Sequence, residues 1–153
     1  MTISRTLPLG PSRRSGFWAV TRQIGNVCKL RIGSTIAFTA LAGVAVTPGD
    51  LEAWRVAVLG LAVLLASGCA GGFNQYVEVD LDRRMHRTRR RPFVTGELRR
   101  GRAWLFGFYG VLALSVLAAG LATNALAAAF VFLGAFFYGV VYTVWLKRRT
   151  WLN

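Results

Sequence analysis

The run from Val56 to Val77 contains no charged residue and is long enough to cross a bilayer as a helix. Its second half, Ala66-Ser67-Gly68-Cys69-Ala70-Gly71-Gly72, consists of small residues, which allow neighbouring helices or a ligand to approach the backbone closely. Those glycines lead into Asn74-Gln75-Tyr76-Val77-Glu78-Val79-Asp80-Leu81-Asp82, where three of the six acidic residues fall within five positions. Ionised groups at the end of an apolar span are costly, so the cluster requires a counter-charge.

Three further apolar segments accompany this one. Leu30 to Thr47 is of marginal spanning length, whereas Ala103 to Leu121 and Leu126 to Leu146 are each long enough to span. Pro48-Gly49-Asp50 and Asn124 mark the turns between segments, and Pro92 and Gly96 place Arg87 to Glu97 in a loop. Extending the second segment through the acidic cluster predicts helices over 30–47, 56–82, 103–121 and 126–146, following a basic tail over 1–29. The expected fold class is all-α, a polytopic membrane bundle of about four spanning helices. A hydrophobic content of 54% and a mean hydropathy of +0.45 agree with that class.

A net charge of +13 first suggests nucleic acid, but the distribution of the charge answers otherwise. Six basic residues lie in the chain up to Arg31, nine arginines run from Arg83 to Arg102, three basic residues close the fourth span, and only Arg55 lies on the opposite connections. The positive-inside rule puts both termini and the arginine loop in the cytoplasm. Most of the charge is thereby explained as orientation, and the expected location is a bacterial inner membrane. The acid-free tail, with Arg5, Arg13, Arg14 and Arg22, also fits an organellar transit peptide and hence a mitochondrial inner membrane. Cys28 and Cys69 offer neither a disulfide framework nor a metal spacing.

Residues four apart on a helix lie within about 80° of one another, so Asn74, Glu78 and Asp82 share a face, while Asp80 points elsewhere. Two carboxylates and an amide oxygen suit Mg2+, which takes oxygen ligands and commonly completes its shell with substrate phosphate. The arginines beyond could hold the remainder of a polyphosphate. The competing reading is a solvated helix end in which arginines pair internally with the acids. The aromatic residues of the fourth segment, from Phe130 to Trp145, are explained by lipid contact and helix packing.

Asn74-x-x-x-Glu78-x-x-x-Asp82, with Arg87-Thr88-x-x-Arg91-Pro92 and Gly96, resembles the intramembrane prenyltransferases of the UbiA superfamily. Ala66-Ser67-Gly68-Cys69, Asp80-x-Asp82-x-x-Met85-x-Arg87-Thr88, Tyr142-Thr143 and Leu146-Lys147-Arg148-Arg149-Thr150 resemble its heme O synthase, or protoheme IX farnesyltransferase, branch. The resemblance covers about Lys29 to Asn153. It implies a bundle of about nine helices around a lateral cavity, with farnesyl diphosphate bound through Mg2+ and its farnesyl group passed to a vinyl group of heme B. By position, Asn74, Glu78 and Asp82 are the implied catalytic and metal-binding residues. Lys29, Arg31, Arg87, Arg91, Tyr142, Lys147 and Arg148 are the implied substrate-binding residues, with a charged helix end the alternative for Lys29, Arg31 and Lys147. His86 has no partner in the sequence and reads as a loop residue.

Glu78, Arg90 and Leu30 depart mildly from the family pattern, and no Asp or Glu follows Glu97, so the family's second acidic motif has no counterpart. The expectation is an N-terminal portion that does not turn over alone. The alternatives are a UbiA-type transferase acting on a quinone or chlorin precursor, and a non-catalytic module that assembles with a complementary C-terminal half or as a homo-oligomer.

Overall fold

The computed structural model describes residues 30–149. They form an all-α, membrane-spanning bundle with three clear spans and one borderline apolar helix. Helix α1 is Leu30–Val46, α2 is Ala53–Val77, and two short turns, α3 (Val79–Arg84) and α4 (Pro92–Thr95), lead to α5 (Arg102–Ala122). The last span begins as α6 (Ala125–Phe136), widens into a π-helical stretch over Phe137–Leu146, and ends in the single turn α7 (Lys147–Arg149). At a rise of about 1.5 Å per residue the 25 residues of α2 exceed a hydrocarbon core of about 30 Å, whereas the 17 residues of α1 fall short of it.

The hydroxyl groups of α1 are satisfied within the helix. Thr35 donates to the Arg31 carbonyl at 3.1 Å and Thr39 to the Thr35 carbonyl at 3.0 Å, while Thr47, just past the helix, donates back to the Gly43 carbonyl at 2.7 Å. Such internal bonding is what a lipid environment demands of polar groups. Asn124 caps α6 by accepting from the Ala127 N–H at 2.8 Å, so the uncharged turn expected there is also a helix start.

Helix α2 is the axis of the bundle, packing against α1, α5, α6 and the π-helical stretch. Its small residues permit this: Ala62, Ala66, Gly68, Cys69, Ala70, Gly71 and Gly72 are all buried. A methyl group added at Gly33 of α1 would lie 3.2 Å from the Leu64 side chain, so the two helices already pack closely there. Leu59, Ala62 and Ala119 form the centre of the α2–α5–α6 contact, with Val44, Val63, Ala127 and Val131 around them. Phe38, Phe106 and Leu121 are exposed, and α6 contains no buried residue, as apolar surfaces in lipid allow.

The structure departs from the expected continuous helix over 56–82. The helix is interrupted at Glu78, where φ is −92° and ψ is 16°. Four-residue hydrogen bonds nevertheless cross the break, from Glu78 N to Asn74 O at 3.0 Å and from Asp82 N to Glu78 O at 2.8 Å, so the stacking of the three side chains survives. The expected loop over Arg87 to Glu97 contains the turn α4, started by Pro92 and stopped by Gly96 at φ 82°. Phe93 of that turn is buried between Tyr76 and Trp104, with ring centroids 5.8 Å and 5.3 Å away in edge-on geometry. This aromatic wedge fixes the arginine loop to the end of α2.

Ala119 is fully buried, so Ala119→Leu is expected to overpack the α2–α5–α6 contact and cost about 1–3 kcal/mol. Leu121→Met, on a residue 84% exposed, should stay within about 0.5 kcal/mol. Unfolding of the reconstituted protein by graded SDS addition measures both.

Candidate functional site

The acidic face lies at the end of α2, and the bundle closes over it. Asn74, Glu78 and Asp82 are 2%, 0% and 1% exposed, so the solvated-helix-end reading does not describe them. Its other half, internal pairing, does. Arg91 donates to Asp82 Oδ2 at 2.6 Å, and Lys147 donates to Glu78 Oε2 at 2.8 Å across 69 residues of sequence. Asn74 Nδ2 donates to the Thr143 hydroxyl at 3.1 Å. The end of α2 is thereby tied to the end of the last span by an amide contact and an ion pair one turn apart.

The arginine side of the site is built by the loop. Thr88 donates from its buried hydroxyl to the Asp82 carbonyl at 3.1 Å, and the Arg91 N–H bonds to the Thr88 carbonyl at 3.0 Å. These bonds fold the chain back so that Arg91, immediately before the α4 turn, meets the carboxylate nine residues earlier. Arg100 lies over the Tyr76 ring at 4.8 Å, on the side of α2 that packs against Phe93.

Of the remaining expected site residues, Tyr142 is half-buried and stacked on Tyr138, with centroids 5.7 Å apart and planes 16° from parallel. Arg31 is exposed at the start of α1, and Arg87 is exposed on the loop. Lys29 and the side chain of Arg148 lie outside the described residues. Asp80 and His86 are both exposed, away from the buried acids. The sequence reading gave no role to Thr143, which is fully buried. A hydroxyl inside an uncharged span was the available signal, but its register against Asn74 depends on the π-helical turn.

No group of three or more His, Cys, Asp or Glu able to hold a metal occurs among the described residues. The donor set is two carboxylates and an amide, which suits a hard cation arriving with oxygens of its own. One atom fits that use: Oε1 of Glu78 is buried and has no hydrogen-bonding partner among the described residues, although Oε2 is held by Lys147. An orphaned carboxylate oxygen in a buried site carries an energetic cost that a ligand would relieve.

An apolar cavity of about 390 Å³ opens beside this polar end, between α1, α2 and α6. Ile36, Val63, Ala70, Gly71, Val131 and Tyr138 are among its lining residues. Gly71 lies about one turn before Asn74, and Tyr138 stacks on Tyr142, so the near end of the cavity lies about one helical turn from the site.

Lys147→Met is expected to destabilise the fold by about 3–5 kcal/mol, because it strands a buried carboxylate. Adding Glu78→Gln to that variant should recover most of the loss. SDS-unfolding midpoints of the two single variants and the double variant measure the coupling.

Residues 36–153 match the model of the UbiA prenyltransferase family. The chain is 50% identical over 131 residues to protoheme IX farnesyltransferase 2 of Paramagnetospirillum magneticum, an alignment covering 85% of this chain and 46% of that protein. It is 44% identical over 122 residues to protoheme IX farnesyltransferase of Gluconacetobacter diazotrophicus, covering 80% of this chain and 38% of the relative. The Brucella anthropi protoheme IX farnesyltransferase is 38% identical over 132 residues, covering 86% of this chain and 42% of its own. No solved structure matches the chain significantly. The chain spans less than half the length of these curated relatives. With the match extending over most of its length, the chain belongs to the UbiA prenyltransferase family.

Proposed function

We propose that this chain supplies the diphosphate-binding half of a prenyl-transfer site, with farnesyl diphosphate as donor, Mg2+ carried in by the diphosphate, and heme B as acceptor. The single observation that carries the reading is the buried stack of Asn74, Glu78 and Asp82, with an unsatisfied Glu78 oxygen, at the end of an apolar cavity. The names of the relatives supply the acceptor class.

In this reading Glu78 Oε1, an Asp82 oxygen and the Asn74 amide oxygen hold the cation. Bound Mg2+ would neutralise charge on the diphosphate oxygens. Arg91 and Lys147, already at the site through their acidic partners, would stabilise the charge accumulating on a leaving diphosphate. Arg87, exposed on the loop, and half-buried Tyr142 are further candidate contacts by resemblance, with Arg31, Lys29 and Arg148. The apolar cavity receives the farnesyl chain and keeps water from the allylic carbon.

The chemistry is a substitution at that carbon. Its bond to oxygen breaks with both electrons leaving on the diphosphate, and the vinyl group of the porphyrin supplies the electron pair for the new carbon–carbon bond. Water then adds to the cation left next to the ring and releases a proton, giving a hydroxyethylfarnesyl side chain. The charge pattern, through the positive-inside rule, supports a cytoplasmic face for this site, where soluble diphosphates are found.

Binding of farnesyl diphosphate to the chain in nanodiscs, measured by calorimetry, is expected to require Mg2+ and to vanish with EDTA. Asp82→Asn should weaken it at least tenfold. Binding that ignores both chelation and Asp82→Asn would overturn the proposal.

A further inference from the structure

We propose that Thr143 is a positioning residue that sets which edge of the Asn74 amide faces the cation, an inference that rests on the diphosphate-site reading above. The argument is one of hydrogen-bond capacity. A threonine hydroxyl has a single proton to donate. The Thr143 hydroxyl lies 2.7 Å from the Tyr138 carbonyl, and a carbonyl only accepts, so the proton is committed there. Toward Asn74, 3.1 Å away, the hydroxyl has only lone pairs to offer. The amide atom facing it must therefore be the donor nitrogen, and the oxygen lies on the other edge of the amide plane. Only that oxygen can ligate a cation, so the arrangement of Thr143 and Tyr138 favours the amide orientation in which Asn74 presents a ligand and not a repelling N–H group.

Other buried or half-buried hydroxyls in the bundle show what Thr143 does differently. Ser115 donates to the Val111 carbonyl and Thr123 to the Ala119 carbonyl, each four residues back, and those bonds satisfy the hydroxyl within its own helix. Thr143 reaches a carbonyl five residues back, inside the π-helical stretch, and also accepts from a side chain 69 positions away. Both Thr143 and Asn74 are at most 2% exposed, so water does not offer the amide an alternative partner at that edge. The wide turn over Phe137–Leu146 thus has a local purpose: it places a hydroxyl with a pre-assigned proton against a prospective metal ligand. Partners that orient a ligand typically contribute ten- to hundredfold in metal affinity.

The test is a titration of Mg2+ against the nanodisc-embedded chain at a fixed concentration of farnesyl thiolodiphosphate, a donor analogue that resists ionisation. Thr143→Val, which keeps the shape and removes the hydroxyl, is expected to raise the half-saturating Mg2+ concentration roughly ten- to hundredfold. Thr143→Ser should stay within about twofold of the original chain, because the hydroxyl is restored. In an Asn74→Ala background, Thr143→Val should have no further effect on the Mg2+ requirement, which a purely structural role would not produce. Thr143→Ala makes the same comparison if the valine variant does not give a monodisperse particle. The inference is overturned if hydroxyl removal leaves the Mg2+ requirement unchanged, if serine fails to rescue it, or if the loss is as large without the Asn74 amide. Those results leave the diphosphate site standing, whereas an unsubstituted chain with no Mg2+-dependent binding overturns both.

Discussion

The pairing of Glu78 with Lys147 is the interaction on which the site end of this bundle depends. A fully buried carboxylate inside an apolar helix pack is tolerable only with a cation against it, and the cation comes from the far end of the described chain. That requirement brings the end of the last span to the end of α2, one turn from the contact between Asn74 and Thr143. Arg91 does the same for Asp82 from the loop side. A site assembled this way already holds cations beside its acids, and each cation is kept in place by the carboxylate it neutralises.

The spanning segments were legible because lipid imposes a strong rule. Backbone groups must be bonded internally and side chains must be apolar, so uninterrupted runs such as Val56 to Val77 admit little besides a helix. The break at Glu78 was not legible, because the β-branched Val77 and Val79 lower helix propensity only slightly and no Gly or Pro marks the position. The geometry arises where the chain turns toward Arg91 and the aromatic wedge of Phe93, which are tertiary contacts. The π-helical stretch escaped notice for the same reason: Phe137–Leu146 reads as an ordinary apolar span until its contacts with α2 are known.

The stacking of Asn74, Glu78 and Asp82 followed from helical spacing alone and survived the break because four-residue bonds continue through it. Which cations meet the acids did not follow from spacing. Lys147 and Arg91 entered the sequence reading by resemblance, and the structure brings both to the acidic face, while Arg87 and Arg31 remain exposed. The competing reading of the acidic cluster, a solvated helix end with internal pairs, is met in one half and not in the other. The carboxylates are paired internally, yet they are buried rather than solvated, and the unsatisfied Glu78 oxygen shows that internal pairing does not exhaust their capacity.

The small-residue face of α2 connects these parts. Without Ala66, Gly68, Ala70, Gly71 and Gly72, neither α1 nor the last span could approach α2 closely, and the reach from Glu78 to Lys147 would lengthen. The same absence of side-chain bulk helps leave space for the apolar cavity, whose lining includes Ala66, Ala70 and Gly71. A larger residue on this face would act in two ways, by filling the cavity and by prising the last span away from the acids. The two effects have different signatures, since filling the cavity acts on an apolar chain alone, while separating the helices also breaks an ion pair and an amide contact. The glycines and alanines before Asn74 therefore belong to the site as much as the charged residues do, although none of them offers a side-chain hydrogen bond.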